Sequence, residues 1–494
     1  MFICCFFDVR KDNVVEGKHF FKRVGKSFWV CGAGFVTLVV MIVSMVLLLP
    51  LWQTHAASPR TMSAGDWTTY MGNNARTGAS PDTSLNASNA PKLKVHWKYK
   101  VGSAISTQPI VANNTLYWGA WDGNEYATDL NGKVLWKTSL GNTTPKTAPC
   151  MLPNGGIVST ATVGQLSING TATSVLFLGG GNDSFYALDA TSGKVIWSTV
   201  LGDANTMIWD APAVYNGNIY IGLSSYGKCP LTAGKLVQLD VTTGHILHSF
   251  QTVPDPCVGG GIWGAPTIDE ASGIVFVSTG AIATCKAGEP MADALVALNA
   301  TDLSLIGSWQ VPVTERGKDS DFGSTPTLFN ATISGANHQM VGLLNKNGIY
   351  YALDRTNVKA GPLWKKTIAV AGRGSKNSFS SSAWDGTHLY TGAAGTMING
   401  QKCGGSLRAL DPTTGNYLWE YCASGRVIGA LTVTSSLLMA GTNTDFVIVD
   451  VTSGKQLYSF HDGKAASLFW GAPTISNGVI YVGNKNGYLY AFGL

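Results

Sequence analysis

The stretch Phe177–Gly202, FLGGGNDSFYALDATSGKVIWSTVLG, has close copies along most of the chain, and this repetition restricts the possible folds more than any other feature. Within one copy, Ser184–Leu188 alternates its side chains between two faces as a half-buried strand does. Asp189–Gly193 has turn composition, and Lys194–Thr199 opens a second strand. Complete copies lie at 107–141, 147–202, 207–253, 259–311, 321–369, 377–424 and 427–463. An eighth, GAPTISNGVIYVGNKNGYLYAFGL at 471–494, stops where its Trp-bearing last strand would begin, and a lone copy of that strand, LKVHWKYKVG, stands at 93–102. Pairing the two halves closes a ring and removes open sheet edges. The reading is an all-β, eight-bladed β-propeller with four-stranded antiparallel blades over 66–494, closed by residues 93–102.

Composition enters here as support. Glycine at 59 residues and tryptophan at 15 suit many tight turns and aromatic packing between sheets. Trp97, Trp136, Trp197, Trp309, Trp364 and Trp419 hold one repeat position and are expected between neighbouring blades. The Asp-x-x-x-Gly pieces such as Asp189–Gly193 and Asp411–Gly415 are turn chemistry, not metal sites.

The segment before the repeats has a different character. Residues 1–27 carry six basic and three acidic side chains, so +3 of the formal +5 sits there and about +2 remains for the rest, which is no nucleic-acid footprint. Phe28–Trp52 then runs 25 residues without a charge, long enough for one transmembrane helix. The expected order is a basic cytoplasmic leader (1–27), a signal anchor (28–52), a linker (53–65) and an extracytoplasmic domain. Cleavage near Thr54–Ala57, giving a secreted domain, is the alternative. Cys150, Cys229, Cys257, Cys285, Cys403 and Cys422 follow that segment as an even set suited to disulfides. Only Cys403–Cys422, within one repeat, is local enough to pair from sequence.

Several chemistries are absent from the sequence. There is no HExxH, no P-loop, no GxSxG turn, no zinc-type CxxC and no CxxCH for a covalent haem. His245 and His248, three apart on a strand, face opposite ways.

The repeat form Tyr-x-Gly-x-x-x-Gly-x-x-Tyr-Ala-Leu-Asp-Ala-x-x-Gly-Lys-x-x-Trp resembles the pyrroloquinoline quinone (PQQ) repeat propellers over about residues 66–494. That family holds quinoprotein alcohol dehydrogenases and non-catalytic scaffolds of outer-membrane assembly. The opening Trp67…Gly72-Asn73-Asn74-Ala75-Arg76-Thr77-Gly78 is most similar to the polyvinyl-alcohol dehydrogenase type.

The resemblance implies roles for three residues. Trp263, in Gly259–Gly264, matches the tryptophan on which the quinone stacks, and Asp321 matches the general base for the substrate hydroxyl. Lys346 matches a cation beside the quinone oxygens. It also implies PQQ as cofactor, a small or polymeric alcohol as substrate and a separate electron acceptor. Calcium fits poorly. Ala281 stands where the family has a ligating asparagine, no Glu occurs between Glu125 and Glu270, and Leu223–Lys235 has no carboxylate. These substitutions favour the competing reading, a binding or assembly scaffold with a protein partner that keeps the ring without the cofactor.

Overall fold

The computed structural model describes residues 65–494 apart from 144–154, 204, 226–230, 286–288, 318, 371–376 and 464–466. The basic leader, the anchor segment and most of the linker lie outside the described residues, as do Cys150 and Cys229. Among the described residues no helix is long and apolar enough to cross a membrane.

Eight antiparallel sheets follow one another along the chain. Blades 1 to 7 occupy 110–139, 162–200, 206–251, 267–310, 327–367, 383–423 and 432–461. Blade 8 takes three strands from 474–493 and its fourth from Lys94–Lys100. Each blade has four strands, and the third adds the two-residue strand Thr206–Met207. Closure is a register from Lys94 opposite Gly493 to Lys100 opposite Tyr488, with a bulge between Val95 and Trp97. This is the split repeat anticipated from the sequence.

Burial explains the sequence pattern of each blade. Outer strands alternate, as in Lys94–Lys100, because one face packs on the next blade and the other meets water. Middle strands such as Ile274–Ser278 and Ala294–Asn299 are covered on both faces by neighbouring blades, so they read as apolar runs.

The recurrent tryptophans join blade to blade. Trp97 donates to Leu130 O (2.9 Å), Trp136 to Ala190 O (3.0 Å), Trp364 to Pro412 O (2.8 Å) and Trp419 to Val451 O (2.7 Å), each carbonyl lying in the turn of the following blade. Each indole also lies on a turn glycine. A Cβ at Gly193, whose φ is +69°, would come within 2.6 Å of the Trp136 ring. Glycine is required there twice over, for the left-handed backbone and for the close approach.

The stretch from Gly65 to Asp82 touches every blade. Trp67 exchanges backbone bonds with Val111, Val163 donates to Thr68 O, and Asn74 Nδ2 donates to Val214 O. Farther round, Ile268 donates to Asn74 O, Leu328 to Ala75 O, Trp384 to Thr77 O and Val433 to Gly78 O. Ser476 and Gly478 complete the circuit through Gly65 O and the Asp82 carboxylate. These partners lie on the innermost strands or just beside them, so the segment laces the axial edge of the ring.

Arg76 is the buried centre of that lacing, with no exposed surface. Its guanidinium donates to Pro266 O (3.0 Å), Pro212 O (3.1 Å), Tyr70 O (2.8 Å) and Thr69 Oγ1 (3.0 Å). Burial lowers its pKa to about 10, with Tyr70 and Asp210 opposing the shift. Arg76→Met would leave the Pro266 and Tyr70 carbonyls without a donor and Pro212 O with Thr162 Oγ1 alone, so it should cost on the order of 3 kcal/mol. The check is urea unfolding at unchanged m; a loss below about 0.5 kcal/mol would contradict the role assigned to Arg76.

Candidate functional site

The three residues singled out from the sequence meet at one end of the ring axis, where loops lead into the inner strands of blades 4 and 5. Backbone bonds hold those loops together. Gly280 donates to Gly261 O (2.9 Å), Gly260 to Ala281 O (2.9 Å), Phe322 to Thr279 O (3.2 Å) and Lys346 to Asp321 O (3.1 Å). Thus the Trp263 loop, the end of the second strand of blade 4, the Asp321 loop and the start of the Lys346 turn form one frame. The disulfide Cys257–Cys285 closes the same region. Sequence reading left that pairing open, while its Cys403–Cys422 pairing is present.

Trp263 is half-buried. Phe379 meets its ring edge-on, with centroids 5.6 Å apart, and Lys346 Nζ lies 4.9 Å from its centroid, in cation–π range. A Cβ at Gly323 would lie 2.0 Å from Trp263 Cη2, so any side chain at 323 would displace the indole.

Lys346 is not a solvated loop lysine. Its side chain is only 11% exposed and its ammonium bridges two carboxylates, Asp321 Oδ2 at 2.5 Å and Asp319 Oδ1 at 3.0 Å. Burial alone would push the ammonium down, but Asp321 and Asp319 together raise it above the ordinary lysine value, so it stays charged. The second oxygen of Asp321 accepts the Ala281 N–H at 2.6 Å, and the second oxygen of Asp319 accepts Asn377 Nδ2 at 2.7 Å. Asn345 braces the loop through Ser320 O at 2.5 Å.

Two further groups belong to the site, and sequence reading did not select them. Asp293 is 4% exposed and its Oδ1 has no hydrogen-bond partner, while Arg316 stands 3.9 Å from its Oδ2. Burial, then the nearby Asp321 charge, raises its carboxyl to about 7 against the opposing pull of Arg316. Asn377 is fully buried with its Oδ1 also unpartnered. Nothing in the repeat pattern marks Asn377. Asp293 carried a faint signal as a carboxylate entering an otherwise apolar strand, Ala294–Asn299.

The arrangement suits a planar ligand with negatively charged oxygens: a half-exposed indole serves as platform with a fixed ammonium over it, while the unpartnered Asp293 Oδ1 and Asn377 Oδ1 are acceptors open to a donor such as a substrate hydroxyl. Arg426 lies on a loop at the same end of the ring, half-buried and in no ion pair among the described residues, and burial pushes its guanidinium below the ordinary value. PQQ, a flat tricarboxylated quinone, fits this set. Calcium does not. Ala281 presents a methyl group, and among the described residues no three His, Cys, Asp or Glu side chains are placed to hold a metal.

Comparison with known proteins agrees with the fold and the repeat. The PQQ-repeat family model, described as outer membrane protein assembly factor BamB, matches residues 131–372 and 346–494. Polyvinylalcohol dehydrogenase of Sphingopyxis sp. (strain 113P3) is 26% identical over 471 residues, spanning 81% of this chain and 69% of its own length. Among solved structures, quinohemoprotein alcohol dehydrogenase from Comamonas testosteroni superposes with a TM-score of 0.67 at 18% identity, covering 87% of this chain and 80% of that one. BamB from Moraxella catarrhalis superposes at 0.52 and 13% identity, covering 81% and 98%.

Asp293 gives a test of the site's electrostatics. A carboxyl raised to about 7 binds its proton more tightly folded than unfolded, so its contribution to stability is complete below the unfolded value and is lost as pH rises through about 7. Asp293→Asn should therefore gain on the order of 1–2 kcal/mol over wild type at pH 8 and little at pH 4. Thermal melts across that range check it; a pH-independent difference would contradict the buried-acid assignment.

Proposed function

The chain belongs to the PQQ-repeat propeller family, and from that premise we propose that it is a quinoprotein alcohol dehydrogenase, oxidising small or polymeric alcohols. The observation that carries this reading is the Asp321 carboxylate, fixed by Lys346 and the Ala281 N–H at the edge of the Trp263 platform. PQQ supplies, when bound, the electrophilic carbonyl that accepts a hydride.

The chain's own residues do the rest. Asp321 takes the substrate hydroxyl proton as the C–H bond gives up its hydride, so the alcohol loses two electrons and becomes a carbonyl compound. The Lys346 ammonium offers positive charge to the oxygen on which negative charge builds, and its fixed position adds no reorganisation cost. Trp263 and Phe379 form the apolar seat that keeps the reacting plane oriented. The two electrons then leave to a separate acceptor. A polymeric substrate is supported by the polyvinylalcohol dehydrogenase relative.

The charge-free run at 28–52 behind a basic leader supports a single-pass anchor with the propeller on the extracytoplasmic side. The disulfides Cys257–Cys285 and Cys403–Cys422 suit that oxidising side. One observation favours a second reading, a cofactor-free scaffold: Ala281 at the family's metal-ligand position.

The two part on a single assay. Membranes carrying the full chain, washed with carbonate and supplied with PQQ, should reduce an artificial dye with primary, secondary or polymeric alcohols. Asp321→Asn should lower kcat by about 10³-fold in protein that still folds, with a lower melting temperature because the buried Lys346 loses one of its two counter-charges. No turnover with any alcohol would sink the enzyme reading, an unchanged rate in the variant would remove Asp321 from the chemistry, and activity lost to the carbonate wash would refute the anchor.

A further inference from the structure

We infer that the Lys346 ammonium, held between Asp319 and Asp321, stands in for the divalent cation implied by the family resemblance, so that this pocket takes its quinone without calcium. The inference rests on reading the pocket as a quinone site, and it starts from an inventory of carboxylate oxygens. Asp321 Oδ1 is bonded to the Ala281 N–H and Oδ2 to Lys346 Nζ. Asp319 Oδ1 is bonded to Lys346 Nζ and Oδ2 to Asn377 Nδ2. All four oxygens already have a donor, two of them the same buried ammonium.

A calcium ion would need about six to eight oxygens in its shell. To reach Asp321 it would have to expel Lys346, and it would then find a methyl group at Ala281 and no carboxylate between Leu223 and Lys235. The cost of expulsion is high, because a lysine with 11% of its side chain exposed would lose both counter-charges at once.

This also accounts for Asp319, which has no other task in the proposed chemistry. One carboxylate alone would let Lys346 swing toward solvent. Two carboxylates, with Asp319 itself held by Asn377, fix the ammonium 4.9 Å from the Trp263 centroid. Positive charge is thereby placed beside the platform by the fold, with no metal to recruit. The same grip leaves Asp321 one ion pair and one N–H bond, a geometry that orients its carboxylate without covering it on all sides.

The test is equilibrium dialysis of the full chain in detergent against PQQ, in excess EDTA and in excess calcium chloride, with thermal melts of the quinone-free protein under both conditions. The dissociation constant should agree within about twofold between the two conditions. Lys346→Met should weaken binding about tenfold or more, calcium should not restore it, and Lys346→Arg should retain most of the affinity. Melts of each variant verify that it folds. Tight binding only with calcium, rescue of Lys346→Met by calcium, or a calcium-dependent rise in the wild-type melt that disappears in Asp321→Asn would each overturn the inference. If PQQ binds in neither condition while the melt ignores calcium, the quinone reading fails and the metal-free character of the cluster stands.

Discussion

The structure depends on a single contact repeated round the ring: an outer-strand tryptophan of one blade seated on the turn glycine of the next, with the indole N–H given to a turn carbonyl at Trp97, Trp136, Trp364 and Trp419. Trp136 on Gly193 and Trp419 on Gly454 are two instances. A blade by itself is a small twisted sheet with both faces apolar, and it becomes stable when each neighbour covers one face. The two steps lacking the tryptophan use substitutes. From blade 3 to blade 4, Gln238 donates to Ala300 O at 3.1 Å, and from blade 7 to blade 8, Leu457, Tyr458 and Phe460 pack in the core that includes Ala90 and Leu93.

Because docking fixes the rotation from blade to blade, loops far apart in sequence arrive at the axis together. Trp263, Asp321, Lys346 and Phe379 come from segments spanning more than a hundred residues, and the backbone bonds among the Gly261, Gly280 and Asp321 regions hold them in register. Along the inner strands the chain from Gly65 to Asp82 binds all eight blades, with Arg76 joining the entries of blades 3 and 4 through Pro212 and Pro266. Ring closure is therefore secured twice, by the shared eighth blade and by this lacing.

The architecture was legible in the sequence because repetition amplifies weak local signals: a turn such as Asp189–Gly193 is ordinary once and decisive when seen along the whole chain. The split blade was legible for the same reason. Trp263, Asp321 and Lys346 were found as departures from the repeat that matched a known pattern, and they do lie together. Other features were not legible, for physical reasons. Asp293 and Asn377 acquire their character from burial without a partner, which no local pattern encodes, and Asp319 becomes a counter-charge only when Lys346, 27 residues away, folds onto it. The pair Cys257–Cys285 depends on two loops meeting at the ring end.

What remains at the site is a compact charge arrangement, one ammonium between two carboxylates beside an indole, which offers a base and a fixed positive charge within one ion pair's reach. The most direct measurement of the central claim is a single turnover without oxygen or dye, in chelator, with alcohol added to the chain loaded with one equivalent of PQQ. The account predicts a change in the quinone absorbance and about one carbonyl product per bound quinone. An unchanged spectrum with no product, from protein that demonstrably holds the quinone, would contradict it.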